Sequence, residues 1–389
     1  MVAVASCFSQ VLSLVDRKDF ALAVRQHGAE KGAKGFSCWD QFVAMMFCQM
    51  GGANSLREIS GGLATAMGKL VHLGLSQAPA RSTLAYANEH RPWELYQTVF
   101  EDLLARCRNM AAVKKRSFRF KNPLVSLDAT VIDLCLGVFD WAHFRRAKGA
   151  IKVHLQLDHQ GYLPCWALVT DGKTHEVTAA RTLCFEPDTI VTMDRGYTDF
   201  VMLGRWNTSG VLFVTRAKGN LNYEVVEELK LPSRGNIRND EKMRLTGQRT
   251  KDNYPDLMRR IVVWDEENDR EIVLLTNIIH LAASTVASIY KERWQIELFF
   301  KAIKQNLKIK TFVGTSQKAV KTQIWTALIA ILLLKFLQLK STWKWSLSNL
   351  AAMLRLNLLT YRNLWDWLNA PFEVPIVEPG PEQLSLFAQ

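Results

Sequence analysis

Alternating apolar and polar residues in one short stretch constrain the fold of this chain more than any other feature. Every second residue of 151–157 is apolar, a period of two that predicts a strand with one buried face. Further strand-like runs lie at 124–128, 162–169, 189–193 and 211–215. The later strands are separated by two helix-like runs, 176–183 and 198–206. Three strands followed by alternating helices and strands predict an α/β fold, a mixed sheet with helices on its faces.

The charge balance points to a polyanionic partner. The chain has a formal net charge of +12 and a pI of about 9.4. Lys and Arg release counterions when they neutralise phosphates, so nucleic acid is the favoured partner and a merely basic soluble protein is the alternative.

Cysteine usage and hydropathy favour the cytoplasm. The seven cysteines are an odd number and form no C-x-x-C pair, which argues against a disulfide scaffold or a structural zinc site and fits a reducing compartment. The longest apolar run, 324–334, is shorter than the roughly 20 residues of a membrane span. We therefore expect a buried core helix and no membrane partner.

Residues 1–115 predict a helical N-terminal domain, because their apolar residues recur at helical spacing. Within it, residues 80–88 have a candidate helix cap at Ser82 and a basic, polar surface. Such a segment is either a small DNA-reading helical module or part of a plain helical packing domain. A basic linker, 114–121, follows.

The rest of the chain divides into four regions. Residues 122–215 and 285–340 predict the two parts of one α/β core. The polar, strand-like residues 216–284 predict a β-rich subdomain inserted between those parts. Residues 341–370 predict C-terminal helices, and the proline-rich residues 371–389 predict an extended tail.

Two aspartates lie where the predicted strands end. Asp128 ends the first strand and Asp194 follows the fourth. In an open sheet such positions line the ligand crevice, and a buried carboxylate requires a partner, water or a metal. By position alone, a structural cap or turn residue is the favoured interpretation of each aspartate.

One helix face carries a third carboxylate among cations. Residues 290–304 contain no glycine or proline and predict a single helix. At about 100° per residue, Tyr290, Arg293, Glu297 and Lys304 fall within about 60° of one another. The stripe is either a solvated salt-bridge ladder or a surface for DNA, where Glu297 binds metal and the other three contact phosphates.

These residues carry a resemblance to a known family. Tyr290-x2-Arg293-x3-Glu297-x6-Lys304 resembles the Y-R-E-K signature of the cut-and-paste DDE transposases of bacterial insertion sequences, in the insertion-sequence-four group. Asp128 in 126–130 (SLDAT) and Asp194 in 193–197 (MDRGY) resemble the family's first two acidic residues, with Glu297 as the third. The resemblance covers about 124–340 and implies an RNase H-like core interrupted by a β-rich insertion.

The resemblance also implies the chemistry. Two Mg²⁺ ions, for which Mn²⁺ can substitute, would be held by the three carboxylates, because hard cations prefer carboxylate oxygens. The substrates would be double-stranded DNA with terminal inverted repeats and target DNA, with a hairpin intermediate at the transposon end. A homodimer in the synaptic complex and a place in the bacterial cytoplasm at the nucleoid are further implications.

Two aromatic features add separate predictions. Trp294 resembles an aromatic residue that holds a displaced base in related enzymes, with a core tryptophan as the alternative. In the tail, Gln383, Leu384, Leu386 and Phe387 resemble the peptide by which bacterial proteins dock on the replication sliding clamp.

Three other interpretations remain open. His154 and His175 lie close to the strands, and we interpret them as surface or edge residues rather than site residues. A metal-dependent endonuclease without strand transfer is an alternative function. An inactive, transposase-derived DNA-binding protein is another, although an intact set of Asp128, Asp194 and Glu297 argues against it.

Overall fold

The N-terminal region is helical in this computed structural model, which describes residues 5–66, 68–112, 118–135, 139, 141–145 and 148–373. Its α-helices are α1 (Cys7–Leu12), α2 (Arg17–Gln26), α3 (Cys38–Gly51), α4 (Leu56–Ala64), α5 (Arg81–His90) and α6 (Glu94–Ala111). A capping box between Ser37 and Asp40 starts α3. The predicted cap at Ser82 is wrong, because α5 begins at Arg81 after Ala80 and Ser82 lies inside its first turn.

The strands form one mixed sheet. They are β1 (Leu124–Leu134), β2 (His143–Arg145), β3 (Lys148–Asp158), β4 (Leu163–Asp171), β5 (Ile190–Met193), β6 (Leu212–Arg216), β7 (Tyr223–Glu228), β8 (Ile237–Leu245), β9 (Met258–Asp265) and β10 (Arg270–Thr276). In the order β4-β3-β1-β5-β6, the first three strands are antiparallel and the last two are parallel to β1. This is the RNase H-like arrangement, so the predicted α/β class is confirmed.

The polar region 216–284 extends this same sheet. Strand β10 pairs antiparallel with β6, and β9, β8 and β7 follow outward. Along the chain, helix α9 (Gln248–Asn253) connects β8 to β9. Helix α7 (Glu176–Ala180) connects β4 to β5, and α8 (Phe200–Thr208) connects β5 to β6. The region therefore shares its hydrogen-bond ladder with the core.

The C-terminal helices complete the core on one face of the sheet. They are α10 (Ala283–Glu292), α11 (Trp294–Asn306), α12 (Gln317–Lys340), α13 (Leu347–Leu356) and α14 (Leu364–Asn369). Helix α12 is long and apolar enough to span a membrane, but 94% of its most apolar window is buried inside the protein. It packs against α3, α5, α6, α13 and β4. The prediction of a buried core helix at 324–334 is confirmed.

Two local expectations are wrong. The first strand does not end at Asp128 but continues to Leu134, because β3 pairs with it as far as Leu134↔Gly149. His154 is not a surface residue: it is 1% exposed on β3. Its Nε2 lies 3.0 Å from Thr170 Oγ1, and its Nδ1 has no hydrogen-bond partner among the described residues.

We predict that His154 makes the protein acid-sensitive. Burial and the nearby Lys152 charge lower the pKa of His154 from 6.5 to about 4. A lowered histidine pKa means that protonation favours the unfolded chain, so stability is lost as the pH falls below 6.5. At about pH 5 the loss from this one group is about 2 kcal/mol relative to neutral pH.

Urea unfolding of the wild type and of His154→Gln at both pH values measures this term. The glutamine retains a partner for Thr170 but does not titrate, so the variant is expected to lose about 2 kcal/mol less on acidification. Equal losses in both proteins would contradict the assignment.

Candidate active site

The register between β1 and β5 places two aspartates side by side. The parallel pairs run from Leu124↔Ile190 to Leu127↔Met193, and Asp128 and Asp194 are the next residue on each strand. Asp194 then precedes a 3₁₀ turn, Arg195–Tyr197, and no group in the described part of the chain donates a hydrogen bond to its carboxylate. Both carboxylates therefore lie at the point where this ladder ends.

The helix that faces this point is broken at Arg293. The sequence predicted one helix over 290–304, but α10 ends at Glu292 and α11 begins at Trp294. The Arg293 N–H bonds to Tyr290 O at 3.1 Å, and Ile296 N–H bonds to Arg293 O at 3.1 Å, both i to i−3 contacts. These tightened turns interrupt the regular hydrogen-bond ladder of the helix without glycine or proline.

Arg293 bridges two of the three carboxylates. Its Nη1 lies 3.4 Å from Asp128 Oδ2, and its Nη2 lies 2.6 Å from Glu297 Oε1. The guanidinium is 13% exposed, and its Nε–H has no hydrogen-bond partner among the described residues. Its Cζ lies 5.6 Å from the centroid of the Tyr290 ring. The structure therefore brings Asp128, Tyr290, Arg293 and Glu297 together.

Burial disfavours the ionised form of the Asp128 carboxyl. Burial raises the pKa of the Asp128 carboxyl to about 6; the Ala129 N–H and the Arg293 charge oppose this shift, while Glu297 and Asp194 add to it. The Ala129 N–H donates to Asp128 Oδ1 at 2.8 Å. The site therefore concentrates negative charge that only a cation can balance.

A cavity of about 440 Å³ opens beside Asp128 and Glu297. Three lysines also line it, and its remaining lining residues are Ala129, Thr130, Phe300, Lys301, Lys304, Gln305 and Lys310. Lys304 Nζ donates to Val131 O at 3.1 Å. Burial and the charge of Lys310 lower the pKa of Lys304, with Asp133 opposing. A space lined by both carboxylates and ammonium groups fits metal ions together with a phosphate backbone.

The three carboxylates do not form a complete metal-binding site among the described residues. In the described part of the chain, no group of three or more His, Cys, Asp or Glu residues is placed to hold a metal ion. Arg293 supplies the positive charge between Asp128 and Glu297 instead. The donor set still fits Mg²⁺, which uses one or two carboxylates and keeps several waters.

Several expectations on single residues can be compared with the structure. Trp294 is 54% exposed, so the alternative of a core tryptophan is wrong. Residues 383–387, which carry the candidate clamp peptide, lie outside the described residues. Sequence reasoning missed Lys301, Gln305 and Lys310, although Lys301 and Gln305 flank Lys304 on α11. Tyr197, the last residue of the MDRGY segment, is 3% exposed, and its pKa is raised by burial and by the charges of Asp128, Glu176 and Asp194.

Comparisons with known proteins agree on one family. Residues 119–333 match the model of the transposase DDE domain, and residues 4–76 match a domain of unknown function, DUF4372. A protein of Geobacillus stearothermophilus named "Probable transposase for insertion sequence element IS5377" is 28% identical, over 66% of this chain and 67% of its own. A protein of Sinorhizobium fredii, assigned as the transposase y4zB, is 30% identical over 66% of this chain and 71% of its own.

One solved structure is also similar. It is a cryo-EM structure of the piggyBac transposase synaptic complex with hairpin DNA. The match covers 96% of this chain and 82% of that one, with a TM-score of 0.41 and 9% identity.

We predict that Arg293 and Glu297 are coupled in stability. Arg293→Met removes the cation between two partly buried carboxylates and should cost about 1.5–3 kcal/mol, the range for hydrogen bonds to charged groups. Glu297→Gln should then cost less in the Arg293→Met background than alone, because the Glu297 charge has lost its partner there and only repels Asp128. Urea unfolding of the four proteins measures this, and strictly additive costs would contradict the bridge.

Proposed function

The chain belongs to the DDE transposases of bacterial insertion sequences, and from this premise we propose that it cuts DNA at transposon ends and joins those ends to target DNA. The observation that carries the proposal is the meeting of three elements at one point. Asp128 and Asp194 follow the last β1–β5 pair, and Glu297 on α11 reaches Asp128 through Arg293. Strand register and helix placement converge on these three carboxylates.

Asp128, Asp194 and Glu297 would hold two Mg²⁺ ions, or Mn²⁺ in their place. Burial raises the pKa of the Asp128 carboxyl to about 6, and bound cations would favour its ionised form. When bound, such ions make a water nucleophilic and stabilise the leaving oxygen of an in-line displacement.

Arg293 would change partners when DNA enters. In the DNA-free protein its guanidinium neutralises Asp128 and Glu297 while its Nε–H stays unpaired among the described residues. A phosphate offers this planar group a bidentate partner. Moving to the phosphate frees carboxylate oxygens of Asp128 and Glu297 for the ions, so that the site becomes fully acidic only in the presence of substrate.

The remaining residues would position the DNA strand. Lys304, with Lys301 and Lys310 in the lining of the same cavity, would bind phosphates, and the Tyr290 hydroxyl would donate to a phosphate oxygen. Trp294, exposed beside Arg293, would stack on an unpaired base, a contact worth about 1–3 kcal/mol.

The proposed reaction is four successive displacements at phosphorus. Water attacks the phosphodiester at the transposon end and releases a 3′-hydroxyl, which attacks the opposite strand, displaces the 3′-oxygen of the flanking DNA and closes a hairpin. A second water opens the hairpin and frees the 3′-hydroxyl again, which attacks target DNA and displaces a target 3′-oxygen. Two protomers would hold the two inverted repeats in a synaptic complex, with the N-terminal helices on the DNA, in the cytoplasm at the nucleoid.

A cleavage assay tests the carboxylates. Purified protein and DNA carrying the flanking ends of its own gene are incubated with Mg²⁺, and cleavage, hairpins and strand transfer are followed on denaturing gels. Asp128→Asn, Asp194→Asn and Glu297→Gln should each slow cleavage at least about 100-fold, the usual loss on removing one charge-stabilising group. DNA-end binding should persist.

The control is Glu227→Gln on β7, whose carboxylate pairs only with Lys242 across the strands, at 2.7 Å, among the described residues. It should cleave like the wild type. Cleavage without joining would favour the endonuclease alternative, and binding without any cleavage by the wild type would favour the inactive DNA-binding alternative.

The tail peptide supports a second partner. Gln383, Leu384, Leu386 and Phe387 lie in a proline-rich terminus, and an extended peptide of this type can insert two apolar side chains into a pocket of a sliding clamp. Leu386→Ala with Phe387→Ala should abolish capture of the protein by immobilised clamp, while Ser385→Ala should not. Equal capture of all forms would remove the proposal.

A further inference from the structure

A buried line of polar side chains connects β1 to the helix break, and the proposed function does not use it. Ser126 Oγ lies 2.6 Å from His159 Nε2. His159 Nδ1 lies 3.6 Å from Glu292 Oε2, and the Tyr162 hydroxyl donates to the same Glu292 oxygen at 3.3 Å. Ser126 is fully buried, and the His159 side chain is 6% exposed. Glu292 is the last residue of α10 and the neighbour of Arg293.

This line runs beside the candidate active site. Ser126 and Asp128 are two residues apart on β1 and so point to the same face of the sheet. Asp128 reaches Arg293 directly, and Ser126 reaches Glu292 through His159. Two neighbouring positions on one strand are thus tied to two adjacent residues of the helix break.

The chemistry of the three side chains indicates which group donates and which accepts at each contact. His159 Nδ1 faces Glu292 Oε2 across 3.6 Å, a polar contact longer than a hydrogen bond, and it has no hydrogen-bond partner among the described residues. With the proton on the Nδ1 that faces the glutamate, Nε2 accepts from the Ser126 hydroxyl. The proximity of His159 lowers the pKa of Glu292, burial opposes this shift, and the Tyr162 hydroxyl adds to the lowering. A Ser–His–Glu line can resemble a hydrolase triad, but the buried Ser126 hydroxyl cannot meet a substrate.

The turn that carries His159 and Tyr162 is held rigidly. Tyr162 has a φ of +53°, a left-handed backbone conformation that residues other than glycine rarely adopt. Gly161 has a φ of +89°, and a Cβ there would lie 2.8 Å from Ala111 Cβ. Gln160 Nε2 donates to Ala111 O at 3.3 Å and to Ala112 O at 3.1 Å, at the end of α6. Strain of this kind persists only where surrounding contacts enforce it.

A polar line in a buried place costs stability compared with apolar packing. Its advantage is that hydrogen bonds depend on angle and therefore fix the orientation of the joined elements, which apolar contacts do not. The break at Arg293 needs such fixing, since no glycine or proline defines it.

We propose that Ser126, His159 and Glu292, with Tyr162, form a positioning relay that holds the break between α10 and α11 where Arg293 reaches both Asp128 and Glu297. The relay residues act through Arg293 and touch neither substrate nor metal. The inference rests on the proposed function for its kinetic consequence, but the relay itself has a consequence for folding that needs no activity.

The kinetic test separates cleavage from binding. Glu292→Ala and His159→Ala should lower the single-turnover cleavage rate about 10–100-fold, the usual cost of losing a partner that orients an active-site group, while the Kd for transposon-end DNA changes less than about twofold. Glu292→Gln, which keeps an acceptor oxygen, should recover part of the rate. Cleavage at the wild-type rate in both alanine variants would overturn the proposal.

Glu176→Gln is the matched control. Glu176 pairs with the buried Lys152 at 2.8 Å, and its side chain is 33% exposed against 27% for Glu292. Lys152 alternates with Val153 on β3, so this pair lies on the other face of the sheet. The control should lower the melting temperature but leave the cleavage rate unchanged, and a matching rate loss would show that the Glu292 effect is only destabilisation.

A thermal double-mutant cycle on DNA-free protein tests the relay without activity. If His159 acts through the helix break, His159→Ala combined with Arg293→Met should lower the melting temperature by less than the sum of the single changes. Additive shifts would overturn the relay. If the wild type does not cleave DNA, the proposed function fails, yet this cycle still decides the relay.

Discussion

A helix that is apolar on all sides has to be covered on all sides, and the burial of α12 organises the rest of this molecule. At about 25 cal/mol per Å² of apolar surface, its 24 residues represent one of the largest burial terms available to a single element. The N-terminal helices α3, α5 and α6 cover part of it, and β4 and α13 cover more. The helical N-terminal region therefore shares one core with the sheet.

That arrangement places the candidate active site at the edge of the core shared by the sheet and the helices around α12. Helix α11 precedes α12 in the chain and lies along β1, so Glu297 approaches Asp128 from a helix whose neighbours are fixed. The two aspartates are fixed separately, by the β1–β5 ladder. Arg293 offsets the electrostatic repulsion among these three carboxylates. Its guanidinium can neutralise carboxylates or bind phosphate, but the same atoms cannot do both.

The sequence predicted well wherever the signal was local. Periodicity located the core strands, and the length of the apolar run at 324–334 identified a buried helix. It failed where a long-range contact decides the outcome. The strand at Asp128 continues because β3 pairs beyond it, and the helix at 290–304 breaks although its residues contain no breaker. Ser82 has the composition of a cap, yet α5 starts one residue earlier.

By itself, the sequence determined the α/β class and a set of candidate residues, because side-chain period and the i,i+4 spacing of Arg293 and Glu297 are local properties of the chain. Only the tertiary structure decided which of them meet. Asp128 and Arg293 are 165 residues apart, and a shift of one residue in the β1–β5 register would turn Asp128 to the other face. His159 was one unremarked histidine among eight until the turn after β3 placed it between Ser126 and Glu292. Contacts of this kind depend on register and packing, which no local pattern encodes.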